Sequence, residues 1–339
     1  MRIFLFLVTI LVSFSCYTTA SEPPVIESDS YVLMDLKSRK VILEHNSEKR
    51  LPIAGLTKLM TAYVVVEALI KDQVGQFDDV PISFKASVTG GRRMFIREGT
   101  KVPLMDLLKG VMVLSADDAS VALQEYTAPA IYNSYLKLSD SRSAKKHSDS
   151  RSAKQHIASR RTSMIQRRFS KNYSSIRNFA GNYESQSEAL FINEMNIAAK
   201  KNQMHNTRYT SVIGHEGDSF STAYDQALLV EDFFMYKRNQ QFERLVAIPI
   251  KYYEPFSQKG IAFNSISQSN TNSLLWKDKS VDGLMTVDSP EAGTNQVLSA
   301  SRDDMRLVVV TMGSDAASSD GKKLLDFGFD YLRKKMETE

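Results

Sequence analysis

"LPIAGLTKLMTAYVVVEALI", Leu51 to Ile70, is apolar almost all round once Pro52 is passed. A helix of that kind is buried inside a large domain and not laid on its surface. Yet its first turn holds Gly55, a poor helix former, and three positions on Lys58, which at helical spacing faces the same way. A lysine on a buried face, one turn after a residue with no side chain, asks for a chemical reason. A plainer reading is also open, in which the stem lies along apolar surface and the amine reaches solvent.

The text on either side reads as one α+β unit. "YVLMDLKSRKVILEHN" (Tyr31 to Asn46) places two short strand-forming runs around a polar turn, which predicts a β-hairpin. "VPLMDLLKGVMVLSADDASVALQEY" (Val102 to Tyr126) has helical apolar spacing on both sides of a polar break at Ser115 to Asp118, predicting two helices joined at a tight corner. "EALFINEMNIAAKKNQM" from Glu188 and "STAYDQALLVEDFFMY" from Ser221 predict two more helices, the second N-capped by Ser221 or Thr222. "VDGLMTV", "GTNQVLSASR" and "MRLVVVTMG" (Val281 to Gly313) predict an antiparallel meander, and "GKKLLDFGFDYLRKKM" a closing helix with a basic last turn. Strands at both ends with helices between them predict a single sheet completed by the N-terminal hairpin.

Composition narrows the chemistry. The 339 residues, 42% hydrophobic and 24% charged, suit a globular protein of one large domain or two modest ones. Residues 1–20, "MRIFLFLVTILVSFSCYTTA", have a basic start, a short apolar core and a polar end. That pattern predicts a secretory signal peptide cleaved after Ala20, hence a secreted or periplasmic protein, with an uncleaved anchor as the alternative. The single cysteine, Cys16, lies inside this segment, and Ser13-Phe14-Ser15 before it suits lipid attachment poorly. A mature chain without cysteine excludes disulfides, thiolate catalysis and cysteine-ligated zinc. The five histidines show no pair at i,i+4 on a plausible helix, so neither a metal nor a cofactor is expected, and no later stretch predicts a transmembrane helix.

One segment is of another kind. "SDSRSAKKH" (Ser139 to His147) is followed at once by "SDSRSAKQH", a tandem duplication inside a basic, low-complexity insert over residues 131–185. From Ile131 to Ala180 twelve Lys/Arg face two Asp, whereas the whole chain carries only +4, so the remainder is acidic. Two readings stay open: a solvated loop made by duplication, or a module that binds an anionic surface such as lipid or wall polymer. Nucleic acid is not the expected partner.

Read in order, these features resemble a known family. Gly55 and Lys58 at the start of a buried helix, the corner Ser115-Ala116-Asp117, and Met285-Thr286-Val287 on a late strand resemble the serine-type D-alanyl-D-alanine carboxypeptidases, the low-molecular-mass penicillin-binding proteins. "LPIAGLTKLMTAYVV" is similar to that family's Pro-Ala-Ser-Leu-Thr-Lys helix start and "LSADDASVAL" to its Ser-Gly-Asn-Asp-Ala corner. "STAYDQALL", "NTNSLLW" and "SVDGLMTVDSPEAGTNQVLSAS" resemble three further family segments in the right order, so the resemblance runs from about Tyr31 to Leu332. It implies a penicillin-binding-protein/β-lactamase-like fold: an antiparallel sheet flanked by helices, plus an all-helical subdomain. It also implies a single carboxypeptidase-like domain over residues 21–339. The family's C-terminal β domain and membrane anchor are not expected within this chain.

The resemblance also implies a mechanism. In the family, Ser-x-x-Lys, Ser-x-Asn and Lys-Thr-Gly converge on one cleft, where the lysine takes the serine proton and the serine attacks the acyl carbon. Set on this sequence, the nucleophile position is Gly55, with Thr57 roughly 200° around the helix and unable to substitute. Lys58 is kept as a base with nothing to deprotonate. Ser115 is kept, Asp117 takes the asparagine position, Met285 the lysine, Val287 the glycine and Tyr224 an arginine, while Thr286 survives. Ser115, Asp117 and Asp118 have structural readings too, as the cap and first turn of the following helix.

Three functions therefore stand open: an inactive homologue that binds peptidoglycan stem peptide or wall polymer, if it acts at all; a serine-type D,D-carboxypeptidase using Ser115 with Lys58; and an anionic-surface module working through residues 131–180.

Overall fold

The computed structural model describes residues 22–148, 183–214, 219–235 and 270–338. The predicted signal segment with Cys16 and most of the duplicated insert lie outside them. Two strands, β1 (Ser30–Asp35) and β2 (Lys40–His45), form the predicted hairpin. A short β3 (Leu51–Pro52) leads through a 3₁₀ turn (Ala54–Leu56) into α1 (Thr57–Ile70). Then come β4 (Asp79–Pro81), α2 (Phe84–Val88), β5 (Lys101–Pro103) and α3 (Leu104–Lys109), with α3 running on into a π-helical turn (Gly110–Leu114). Two long helices, α4 (Asp117–Ser148) and α5 (Tyr183–Lys201), follow. The chain continues through β6 (Phe220–Ser221), α6 (Ala223–Met235), α7 (Leu274–Lys277), β7 (Val281–Ser289), β8 (Gly293–Arg302), β9 (Met305–Ser314) and α8 (Ala317–Thr338).

The main sheet has five strands in the order β2-β1-β9-β8-β7, each pair antiparallel. β1 pairs with β9, Val32 opposite Val310, so the N-terminal hairpin does complete the late meander. Helix α8 covers one face, where Leu33, Leu298 and Leu307 meet Leu324, Leu325 and Phe329 in one apolar cluster. A larger cluster on the other side joins strand residues such as Val297 and Val308 to α1, α4, α5 and α6. Thr57 to Leu69 of α1 are all buried, as an apolar circumference requires. Helix α4 packs on α1, α2, α3 and α5, the helical part of the fold beside the sheet. Thr222 caps α6 as expected, its hydroxyl accepting from the Asp225 N–H at 3.0 Å.

The insert begins later than its composition suggests. Helix α4 continues through residue 131, and Ile131 is 4% exposed in the main core. Tyr135, a turn later, donates to Glu194 of α5 at 3.1 Å. The apolar positions Ile131 and Tyr135 sit one helical turn apart and hold this stretch in the core, so a start at 131 is corrected. Charge counting misses this, since an average over many residues hides two well-placed apolar side chains.

Candidate functional site

The 3₁₀ turn before α1 is held from behind. Ala54 has φ 44°, and Gly214 (φ 81°) comes so close that a Cβ there would stand 1.8 Å from the Ala54 carbonyl oxygen. Only a residue without a side chain fits that approach. A Cβ on Gly214 would also be 2.9 Å from Thr57 Oγ1, so Thr57 faces the Gly214 loop. Gly55 faces the opposite way. A Cβ on Gly55 would lie 3.1 Å from Val287 Cγ1, 3.3 Å from Val287 Cβ and 3.3 Å from Lys58 Nζ. Gly55, Lys58 and Val287 therefore meet at one point. Val287 is 4% exposed and Met285, two residues back along β7, is 2% exposed.

Lys58 does not reach solvent. It is 2% exposed, and its ammonium pairs at 2.5 Å with Asp117 Oδ1, itself fully buried at the start of α4. The solvent-reaching reading of Lys58 is corrected on this ground. Burial pushes the Lys58 amine below the usual lysine range, and the Asp117 carboxylate beside it works in the opposite direction. Asp117 is also a bracket. Its Oδ2 accepts from the Arg92 N–H at 3.1 Å, and its own N–H donates to the Arg92 carbonyl at 2.7 Å. Asp118 next to it accepts from the N–H groups of Met94, Phe95 and Ile96. Burial raises the Asp118 carboxyl above the usual range, although these donors favour its charged form. The two aspartates thus fix the loop 92–96 against the corner.

Ser115 forms that corner in the left-handed conformation (φ 55°, ψ 43°) between the π-helical turn and α4. It is 3% exposed, and among the described residues its Oγ has no hydrogen-bond partner. It is not the cap of α4, so that structural reading is corrected. Thr286 is turned elsewhere: its Oγ1 accepts from Gln296 Nε2 at 2.8 Å, and Gln296 Oε1 points to Gly321 of α8. Tyr224 on α6 donates its backbone N–H to the Ser47 carbonyl at 3.1 Å, which ties it to the loop after β2. Among the described residues no hydrogen bond joins Tyr224 to Lys58, Asp117 or β7.

One residue at this site is absent from the sequence reading. Arg92, held by Asp117 through its backbone, extends to Asp288 on β7, 3.5 Å away, with side chains 40% and 62% exposed. Nothing in the periodicity of "GGRRMFIREG" marks it, because its placement depends on a partner 25 residues later.

A family model described as D-alanyl-D-alanine carboxypeptidase matches residues 17–140 and 170–316. The chain belongs to that family. D-alanyl-D-alanine carboxypeptidase DacC of Escherichia coli K12 is 31% identical over 92% of this chain, and DacA of the same strain 27% identical over 91%. The chain spans 63% and 62% of the lengths of these two relatives. Penicillin binding protein 6B from Escherichia coli superposes with a TM-score of 0.67 at 27% identity, covering 92% of this chain and 80% of that one. Penicillin binding protein 5 from Haemophilus influenzae gives 0.66 at 28% identity, covering 91% and 72%. The α+β architecture of a sheet flanked by helices is that of the penicillin-binding proteins. Among the described residues no helix is long and apolar enough to cross a membrane, and no cluster of His, Cys, Asp and Glu could hold a metal ion.

Proposed function

We propose that this chain is a catalytically inactive carboxypeptidase homologue, exported with its leader removed after Ala20 and acting at the cell wall as a peptide-binding protein. In this reading Gly55 holds the position of the acylated serine, Lys58 that of its base, Asp117 that of the asparagine, and Met285 and Val287 those of the lysine and glycine. The observation that carries it is the contact between Gly55 and Val287: the space a nucleophile's side chain would enter is pressed by Cγ1 at 3.1 Å. A Cβ contact that short obliges a neighbour to give way, so the glycine and the valine fit each other better than a serine would fit the valine.

The base is disabled by the same set of changes. Lys58 Nζ donates to Asp117 Oδ1 at 2.5 Å, so although burial lowers its pKa the amine is directed at a buried carboxylate and not at a nucleophile. Loss of a nucleophile costs several orders of magnitude in rate, leaving what binding and dipoles supply. Ser115 favours the rival reading of a residual hydrolase, since its Oγ is unbonded among the described residues. It is also 3% exposed, and the amine that would activate it is already paired. The test is release of D-alanine from a peptide ending in D-Ala-D-Ala. We expect none above the enzyme-free blank, and steady release would overturn the proposal.

A further inference from the structure

The floor of the candidate site is closed. Lys58, Asp117, Ser115, Met285 and Val287 are each at most 4% exposed. Any ligand must be held at the rim, and there the structure offers a cation that the family reading did not anticipate. Arg92 is rigid at its backbone, where Asp117 takes both its N–H and its carbonyl, at 3.1 and 2.7 Å. Its guanidinium is reachable from solvent: 40% exposed, it faces Asp288 at 3.5 Å, a residue 62% exposed on the opposite wall and next to Val287. The chain before it is open, since Gly90 and Gly91 are exposed and a Cβ on Gly90 would meet nothing within 4 Å.

We propose that Arg92 is the anion anchor of this cleft, holding the Asp288 carboxylate in the free protein and a ligand's terminal carboxylate in its place. A guanidinium presents a planar fork of donors that matches a carboxylate, and Asp288 is the carboxylate the chain itself supplies. An exposed pair at 3.5 Å is weakly held, so exchange for an incoming carboxylate carries little penalty. The fixed backbone places the cation without loss of loop freedom on binding. The ligand class is a short acylated peptide with a free C-terminal carboxylate, its chain lying over Gly90 and Gly91. This inference rests on the peptide-binding reading above, and it restores at a new position the positive charge that Met285 does not provide.

The test is a calorimetric or NMR titration of the full chain with an N-acyl-D-Ala-D-Ala peptide and with the same peptide as its C-terminal amide. Saturable binding of the acid is expected, weakened about tenfold by Arg92→Gln and strengthened by Asp288→Asn, with the amide binding no better than the acid binds to Arg92→Gln. Both side chains are exposed, so unchanged thermal unfolding verifies that the variants fold. Equal binding of acid and amide, indifference to Arg92→Gln, or no binding by either wild type or Asp288→Asn overturns the proposal. Free D-alanine is measured in the same samples. Its appearance would sink the inactive reading alone, while the Arg92 and Asp288 comparisons still decide the anchor.

Discussion

Val287 Cγ1 stands 3.1 Å from where a Cβ on Gly55 would be, so the small residue and the branched one are matched across the junction of α1 and β7. Neither is unusual alone. Together they form a packed contact, at the point where the proposed function sets a lost nucleophile and a closed strand edge.

This match predicts a stability coupling. Gly55→Ala places a methyl into the tight contact and should cost about 1–2 kcal/mol by overpacking. Val287→Ala should cost a similar amount by loss of buried methyls. The double variant should cost less than the two together, by about 1 kcal/mol, because each change makes room for the other. Urea unfolding of the four proteins checks this, and strict additivity would show that the two sites do not share a packing constraint.

The buried pair predicts an asymmetry. Lys58→Met leaves Asp117 at 0% exposure without its cation, and breaking a buried pair in this way costs about 3–5 kcal/mol. Lys58→Met with Asp117→Leu removes both charges and should recover most of that loss, although the Arg92 N–H then lacks its acceptor. A double variant no more stable than the single one would show that the hydrogen bonds of Asp117, and not its pairing with Lys58, hold the corner.

The same lysine gives a pH dependence of defined sign. Burial lowers the Lys58 pKa in the folded protein, whereas the unfolded chain keeps this proton up to about pH 10.4. Between the two values the unfolded state binds more protons, so the stability of the wild type should rise with pH relative to Lys58→Met as pH approaches 10.4. The tyrosines that titrate in this range are common to both proteins and cancel in the difference. A gap that shrinks with rising pH would mean that Asp117 outweighs burial.

Asp118 should behave in the opposite sense. Its carboxyl is raised by burial, so the folded state holds a proton that the unfolded chain has released above about pH 3.9. The contribution of Asp118 to stability should therefore be largest below that pH and fall as pH climbs through the folded value. Comparison with Asp118→Asn over this range isolates the effect, and a difference independent of pH would contradict it.

Much of this was legible in the sequence. The all-round apolar run 57–69, the hairpin and the three-strand meander specify the sheet and the buried helix, since periodicity and turn residues act locally. The convergence of Gly55, Lys58, Asp117 and Val287 was expected only through the family resemblance. No local pattern brings positions 55, 117 and 287 together. What stayed hidden depends on long-range geometry: the direction of the Thr286 hydroxyl, the core role of Ile131, and Arg92, whose backbone exchanges hydrogen bonds with Asp117 in both directions. Strand and helix periods say which residue is buried, but not which partner it meets.

The central claim is that the cleft is chemically disabled by several residues acting together. Intact-mass spectrometry after exposure to benzylpenicillin tests it most directly, on the wild type, on Gly55→Ser, and on Gly55→Ser combined with Asp117→Asn, Met285→Lys and Val287→Gly. The account predicts no adduct on the wild type, little or none on Gly55→Ser, and a stoichiometric acyl adduct on the fourfold variant. An adduct on the wild-type chain, mapped to Ser115, would contradict it.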